Sequence, residues 1–327
     1  MTATRRDILA GLGAATLPLD WAARAAPAAL PSPDPRLWAP PPNVPSREGY
    51  AIGPNGKIFY RRFGGGARLP LVVLHGGPAG AHGYMMPYAR LALDRPVVLY
   101  DQSGCGRSSA PPELKRYTVA RYVIELEELR QQLGFDRMLL LGHSWGGMLA
   151  AAYAAKYPDR VAGVVLAGTA PDMRGFTDAA RHWLADLGPR AVATAKGPHD
   201  DPAYGALVAR YYALHLCRLP KWPKFFEDAA EAIGRNAVYT YLNGPSEFEF
   251  TGALAGYNGI AAARAIRVPT LVTCGEFDEA PPFVGRRLTA LIPGSRLEAF
   301  AGLSHMSHIE DPARVVGATR RFLAGVG

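Results

Sequence analysis

The heptapeptide LGHSWGG, residues 141–147, most constrains what this chain can fold into. It directly follows the apolar run RMLLL and opens a helical stretch, GMLAAAYAAKYP. Between a strand and a helix, the pattern G-x-S-x-G predicts a sharp turn that presents Ser144 as a candidate nucleophile. Gly142 and Gly146 fit this turn because a side chain at either position would clash. The alternative is a serine in an ordinary glycine-rich turn.

Short apolar runs recur along the chain, and helical segments separate them. The runs are LVVL (71–74), PVVLY (96–100), RMLLL (137–141), VAGVVLA (161–167) and VPTLVTC (268–274). Such runs are typical of strands that are buried on both faces of a parallel sheet. The segment TVARYVIELEELRQQLG places apolar residues at helical spacing with charges opposite. This alternation predicts an α/β domain with a mostly parallel, doubly wound sheet.

The alternation stops between about Pro171 and Asn258. This segment is rich in tryptophan and tyrosine and reads as helices without a clear strand. We interpret it as a helical cap inserted over the carboxyl edge of the sheet, where open α/β sheets bind their ligands. The predicted division is therefore a core of residues 46–170 and 259–327 with a cap of residues 171–258.

The N-terminal part of the chain has a different character. Arg5 and Arg6 precede a short Ala/Gly-rich run, and small residues follow at A-x-A spacing, which predicts a twin-arginine-type export signal over residues 1–26 and a periplasmic location. A frayed basic terminus on a cytoplasmic protein is the alternative. Residues 27–45 are rich in proline and are predicted to form an extended linker outside the fold. No run of about 18 apolar residues occurs, so stable membrane insertion is not expected.

The formal net charge of +8 raises the question of a polyanionic partner. The basic residues are scattered, with no cluster longer than a pair, so nucleic acid is not expected. Cys105, Cys217 and Cys274 form no C-x-x-C pair and suggest neither a disulfide framework nor a zinc site. No metal or organic cofactor is expected, and the oligomeric state is left open.

A serine nucleophile needs a base, and the base needs an orienting acid. In the strand and helix order expected here, the acid follows a late strand, where GEFDE offers Glu276, Asp278 and Glu279. The histidine follows the last strand, where SHMSH offers His305 and His308. Asp278 and His305 form the best pair, whereas His308 is expected at the start of the last helix as a packing or surface residue.

The reaction of such a serine also needs two backbone N–H groups directed at the developing negative charge. One is predicted to belong to Trp145, the residue after the nucleophile. The other is predicted in HGGPAG, residues 75–80, which follows LVVL, and Gly77 is the candidate.

These motifs together resemble those of the proline iminopeptidases, which are α/β-hydrolase serine aminopeptidases. The motifs are HGGPAG, YDQSGCGRS, LGHSWGGMLA, NGPSEFEFTG, GEFDE and SHM, and the resemblance covers roughly Gly49 to the C-terminus. It implies the α/β-hydrolase fold, the triad of Ser144, Asp278 and His305, and an acyl-enzyme route. The implied substrate is a small peptide or aminoacyl amide with an N-terminal residue, preferably proline. The alternatives are an amino-acid amidase, an esterase or lactonase with the same triad, and a ligand-binding protein on a hydrolase scaffold.

The resemblance also implies that Glu247 and Glu279 hold the free α-amine of the substrate. An α-amine with a pKa of about 8 is mostly cationic at neutral pH, so carboxylates near the nucleophile suit it. Without a cation, carboxylates beside Asp278 are expected to repel one another. The alternative for Glu247 is an exposed loop acid or a helix cap.

Two positions depart from the family pattern. The family's HGGPG is HGGPAG here, so Ala79 displaces a glycine, and we expect a change in the curvature of the loop that carries Gly77. Ser103 stands where many members carry arginine or a bulky residue, which is expected to affect loop support. Five cap aromatics are candidates for a proline pocket, although spacing does not map them. They are Tyr211, Tyr212, Trp222, Phe248 and Tyr257.

Overall fold

The computed structural model describes residues 29–326 of the chain. The export signal predicted for residues 1–26 lies outside the described residues. The strands are β1 (Ser46–Gly53), β2 (Gly56–Phe63), β3 (Leu71–Leu74), β4 (Val97–Tyr100), β5 (Met138–His143), β6 (Val161–Ala167), β7 (Thr270–Gly275) and β8 (Arg296–Phe300). They form one sheet in the order β1-β2-β4-β3-β5-β6-β7-β8, in which β3 to β8 run parallel and β2 runs antiparallel to both neighbours.

Helices connect the strands and cover both faces of the sheet. The α-helices are α1 (Val119–Gln132), α2 (Trp145–Lys156), α3 (Met173–Asp186), α4 (Pro189–Thr194), α5 (Pro202–Tyr211), α6 (Lys224–Gly234), α7 (Ala237–Leu242), α8 (Ile260–Ala265), α9 (Pro282–Thr289), α10 (Ser307–Glu310) and α11 (Pro312–Ala324). Short 3-10 segments span Pro35–Trp38, Gly83–Leu93, Leu114–Arg116 and Pro158–Arg160, and a π turn spans Tyr212–Leu216.

Alternate residues of the central strands pack into two different hydrophobic clusters. In β3, Val72 and Leu74 belong to one cluster, and Leu71 and Val73 belong to the other. Since successive side chains of a strand point to opposite faces, each cluster lies on one face of the sheet. This is why the central strands read as continuous apolar runs.

β1 and β2 form an antiparallel hairpin at one edge of the sheet, and the apolar pattern does not predict them. Most side chains of β1 are exposed because the strand has one neighbour only. Its sequence, SREGYAIG, therefore mixes charged and apolar residues instead of forming an apolar run.

The described chain between β6 and β7 forms the helices α3 to α8 and none of the eight strands. Several hydrogen bonds tie it to loops at the carboxyl ends of strands, and three of them illustrate the contact. The Trp183 indole donates to the Asp278 carbonyl at 2.9 Å, and the Asn236 amide donates to the Gly104 carbonyl at 2.8 Å. The His305 amide donates to the His215 carbonyl at 3.0 Å. The helical segment thus covers the edge of the sheet at which the cap was predicted.

The prediction that residues 27–45 stay outside the fold is wrong for the part around Trp38. The short helix Pro35–Trp38 rests on the core, and the Trp38 indole donates to the Ile309 carbonyl at 2.9 Å. The same ring meets Phe225 of α6 edge-on, with centroids 5.8 Å apart. Tryptophan combines a large apolar surface with one N–H donor, and both are used here.

No helix within residues 29–326 is both long and apolar enough to cross a membrane. All three cysteines fall in this range, and each is buried with a free thiol. The same range holds no group of three or more histidine, cysteine or acidic side chains arranged to hold a metal ion.

Candidate active site

Ser144 occupies the turn between β5 and α2 in a strained backbone conformation. Its φ of 56° and ψ of −124° are rare for a residue with a side chain. The Ser144 amide donates to the Ala167 carbonyl at 2.8 Å, and the Thr169 hydroxyl donates to the Ser144 carbonyl at 2.8 Å. These two hydrogen bonds anchor the turn to the end of β6 and hold the serine in place.

The two glycines of the motif are required by close approach of backbone. A Cβ on Gly142 would collide with the Gly146 carbonyl, and a Cβ on Gly146 would collide with the Leu74 carbonyl. The sharp strand-to-helix turn predicted around Ser144 is therefore present, and its glycines have the predicted physical reason.

Asp278 and His305 form a buried pair at the carboxyl ends of β7 and β8. His305 Nδ1 lies 2.6 Å from Asp278 Oδ1. Asp278 also accepts hydrogen bonds from the amides of Gly275 at 3.0 Å and Ala280 at 2.8 Å. Three donors thus converge on one carboxylate and fix its orientation. With Nδ1 bound to Asp278, the Nε2 atom of His305 remains for chemistry.

His305 and Ser144 line one cleft together with Gly77, Glu247 and Glu279. The cleft has about 520 Å³ of empty space, and aromatic and aliphatic side chains form the rest of its wall. A second pocket of about 280 Å³ shares Ser144, Gly77 and Glu247 with it and includes Trp145. The structure therefore brings every predicted site residue to one place, with Asp278 behind His305.

The two glutamates reach the cleft from different elements. Glu247 follows α7 in the helical segment, is half-buried and accepts a hydrogen bond from the Tyr239 hydroxyl at 2.6 Å. Glu279 follows Asp278 in the core and is 4% exposed. Its Oε2 lies 3.6 Å from His305 Nε2.

The carboxylates of Asp278 and Glu279 are the main charges that raise the pKa of His305. Burial lowers the pKa of the imidazole, but the charges of Asp278 and Glu279 outweigh burial and raise it to about 9. The site without a substrate therefore favours the imidazolium form.

The loop after β3 approaches the serine closely through its glycines. A Cβ on Gly76 would lie 2.8 Å from the Ser144 Cβ, and Gly77 has a φ of 110°. Ala79, where the family pattern has glycine, also has a positive φ of 71°. An alanine side chain is thus accommodated in a conformation that favours glycine. Trp145 is the first residue of α2, and amides in the first turn of a helix lack an intrahelical acceptor.

Gln102 is a residue of this site that sequence reasoning missed. Its side-chain oxygen accepts a hydrogen bond from the Trp145 indole at 2.8 Å, and its side-chain nitrogen donates to the His75 carbonyl at 2.8 Å. Its backbone amide also donates to His75 Nε2 at 3.0 Å. Gln102 therefore joins the loop of Gly77 to the start of α2. Its only sequence signal is its place in YDQSGCGRS.

A second missed connection runs through Tyr84 and His143. The Gly76 amide donates to the Tyr84 hydroxyl at 2.5 Å, and that hydroxyl lies 3.0 Å from His143 Nδ1. His143 Nε2 lies 3.0 Å from the His305 carbonyl, which can only accept. Nε2 therefore carries the proton, and Nδ1 accepts from Tyr84. Burial holds the pKa of His143 well below its usual range, which agrees with a neutral ring.

The remaining positions discussed from the sequence lie around this centre. His308 lies in α10, ahead of the last helix, and is a buried packing residue stacked on Tyr88. Ser103 is buried and its hydroxyl accepts from the Asn55 side chain at 3.0 Å, which gives it a loop-supporting contact. Of the five candidate cap aromatics, Tyr212 lines the cleft.

The site and the fold define a serine hydrolase with the α/β-hydrolase fold. The features that define it are a serine on a strand-to-helix turn, a buried acid–histidine pair that follows two later strands, and a helical segment over the sheet edge. Comparison with known proteins agrees with this class, since residues 70–312 match the alpha/beta hydrolase fold family.

Several similar proteins are proline iminopeptidases. The enzyme of Saccharolobus solfataricus is 35% identical, over 81% of this chain and 88% of its own length. The enzyme of Heyndrickxia coagulans is 32% identical, over 85% of this chain and 99% of its own length. The crystal structure of proline iminopeptidase from Mycobacterium smegmatis is 31% identical with a TM-score of 0.79, and the match covers 85% of this chain and 98% of that one. The chain belongs to the proline iminopeptidase family of α/β hydrolases, as its motifs predict.

Proposed function

We propose that the protein releases an N-terminal residue, preferably proline, from small peptides or aminoacyl amides. The observation that carries this proposal is the presence of Glu247 and Glu279 in the same cleft as Ser144 and His305. A free α-amine is mostly cationic at neutral pH and pairs with carboxylates through charge-assisted hydrogen bonds. Two carboxylates beside the nucleophile suit a substrate whose amine lies one residue from the scissile bond.

In this proposal the triad works as in other serine hydrolases. His305 Nε2 takes the proton of the Ser144 hydroxyl, and Oγ attacks the carbonyl carbon, while Asp278 orients the imidazole and stabilises its charged form. The amides of Gly77 and Trp145 stabilise the oxyanion of the tetrahedral intermediate. His305 then donates the proton to the leaving amine, and an acyl-enzyme remains. Water, activated by His305, releases the amino acid.

The amine clamp would contribute by positioning the substrate. Glu247 belongs to the cap, for which we propose the bounds 171–258, whereas Glu279 belongs to the core together with the triad. An amine held between them would fix the N-terminal residue over Ser144. Such positioning turns an encounter between separate groups into an effectively intramolecular reaction.

The proposal is tested by removing the charge of the substrate amine. We expect the protein to hydrolyse the anilide of proline faster than those of alanine and leucine, and to lose turnover on N-acetylproline anilide by at least about a hundredfold, as expected when two charged contacts are lost. The measurement is the rate of chromophore release with the four substrates side by side. Equal rates on the free and acetylated proline anilides would overturn the aminopeptidase proposal and leave an amidase or esterase.

We also propose that the chain is exported to the periplasm through a twin-arginine signal. Its support is the Arg5 and Arg6 pair ahead of the short apolar run. The Arg5→Lys/Arg6→Lys protein should remain in the cytoplasm on cell fractionation, because the arginine pair is the feature that defines this type of signal. A matched exchange outside the signal, Arg36→Lys, should leave export unchanged. Normal export of the double variant would exclude the twin-arginine route.

A further inference from the structure

We propose that Glu279 also determines specificity by controlling the catalytic base. Without a substrate amine, the Glu279 carboxylate stabilises the proton on Nε2 of His305, and a bound amine causes the loss of that proton. This inference rests on the proposed function, because it assigns a second role to one member of the amine clamp. It makes the amine a condition for catalysis as well as for binding.

The geometry places one imidazole between two carboxylates. Asp278 Oδ1 lies 2.6 Å from Nδ1, and Glu279 Oε2 lies 3.6 Å from Nε2. All three side chains are at most 4% exposed, so water screens these charges weakly. An imidazole with an anion at each nitrogen is stabilised as the imidazolium, which carries a proton on both.

The other groups that face His305 do not oppose this. Glu247, from the loop after α7, adds a third negative charge. His143, at the end of β5, lies 4.6 Å away between ring centroids, and His308 lies in α10. Burial lowers the pKa of both rings, that of His308 to about 3, so they face His305 as neutral groups. Burial lowers the pKa of His305, but the charges of Asp278, Glu279 and Glu247 outweigh burial and raise it to about 9.

An imidazolium cannot accept the proton of Ser144. When a cationic α-amine binds between Glu247 and Glu279, it shares their negative charge and places a second positive charge near His305. Both effects disfavour the imidazolium, so His305 gives its proton to solvent and becomes the base. A molecule without an amine leaves His305 protonated at neutral pH. It is then turned over slowly even when it occupies the cleft.

The inference is tested with the variant Glu279→Gln and an ester that has no amine, 4-nitrophenyl butyrate. At pH 7 a base with a pKa of about 9 is neutral in roughly 1% of molecules, and each unit by which its pKa falls raises that fraction about tenfold. We expect kcat/KM of the variant on the ester to rise about tenfold at pH 7 and its pH profile to move to lower pH. Hydrolysis of proline anilide should fall, since half of the clamp is lost.

Two further variants serve as controls. Glu276→Gln removes the same charge from the same loop, but Glu276 is exposed and accepts from the Gly302 amide at 2.9 Å, so the ester profile should remain as in the wild type. Glu247→Gln should lower proline anilide hydrolysis with a smaller gain on the ester, because Glu247 acts on His305 more weakly than Glu279.

The wild-type protein provides a test that needs no variant. Its kcat/KM on the ester should rise with pH toward about 9, because kcat/KM reports the free enzyme, whereas kcat on proline anilide should reach its plateau at lower pH. An ester profile with an ordinary histidine pKa near 6.5, or no shift in Glu279→Gln, would overturn the inference. The proposed function would still stand if proline anilide were preferred over its acetylated form.

Discussion

Replacing Ser144 with alanine is expected to lower kcat on proline anilide by roughly 10³ to 10⁶, as loss of a triad nucleophile does. The backbone of the turn should tolerate the change, because its conformation is held by hydrogen bonds from backbone groups and from Thr169. Affinity for proline, a product, should change little, since the clamp and the cleft remain. The measurements are kcat by chromophore release and the Kd of proline.

A matched serine exists for comparison. Ser295 donates from its hydroxyl to the Ile292 carbonyl at 2.8 Å in the loop after α9, and neither residue lines the cleft. Ser295→Ala should keep wild-type kcat. If Ser144→Ala retains activity within tenfold of the wild type, the nucleophile is another group.

The second large effect is expected from Asp278→Asn, which should lower kcat by about 10⁴. Both oxygens of Asp278 accept hydrogen bonds, from the Gly275 amide on one and from the Ala280 amide and His305 on the other. An asparagine has one oxygen only, so its NH₂ group must face a backbone N–H or the Nδ1–H of His305. Either outcome disturbs the tautomer or the orientation of the histidine.

The measurement is kcat together with the urea midpoint of unfolding, which separates loss of catalysis from loss of fold. Asp136→Asn is a suitable control, because that exposed carboxylate pairs with the partly exposed Arg160 at 2.7 Å on the surface. Such surface pairs contribute about 0 to 1 kcal/mol to stability. A folded Asp278→Asn protein with kcat within tenfold of the wild type would remove Asp278 from the proposed triad.

The parts of the fold that could be predicted are those whose signal is local. The buried strands β3 to β7 are continuous apolar runs because both of their faces are covered. The turn at Ser144 was predictable because its glycines and flanking elements are adjacent in sequence. β1 was not, because an exposed edge strand has no comparable apolar pattern.

The contacts that could not be predicted join distant parts of the chain. The position of Glu279 beside Asp278 is visible in GEFDE, but its approach to Nε2 of His305 depends on how β7 and β8 pair. Trp38 lies in a proline-rich stretch whose composition suggests a spacer, and its partners Phe225 and Ile309 are far along the chain. The composition of this segment therefore does not predict its packing, which depends on residues that are distant in the sequence.

The hydrogen bonds of the Gln102 side chain connect the loop after β3 directly to the start of α2. Because Gln102 is hydrogen-bonded to both, we expect a shift of His75 to displace the Gln102 side chain and with it the indole of Trp145. The two proposed oxyanion donors, the amides of Gly77 and Trp145, are therefore not independent. Residues that share a hydrogen-bonded partner show interaction energies of about 0.5 to 3 kcal/mol in double-mutant cycles. Evolutionary or engineered changes in one loop would thus be constrained by the sequence of the other.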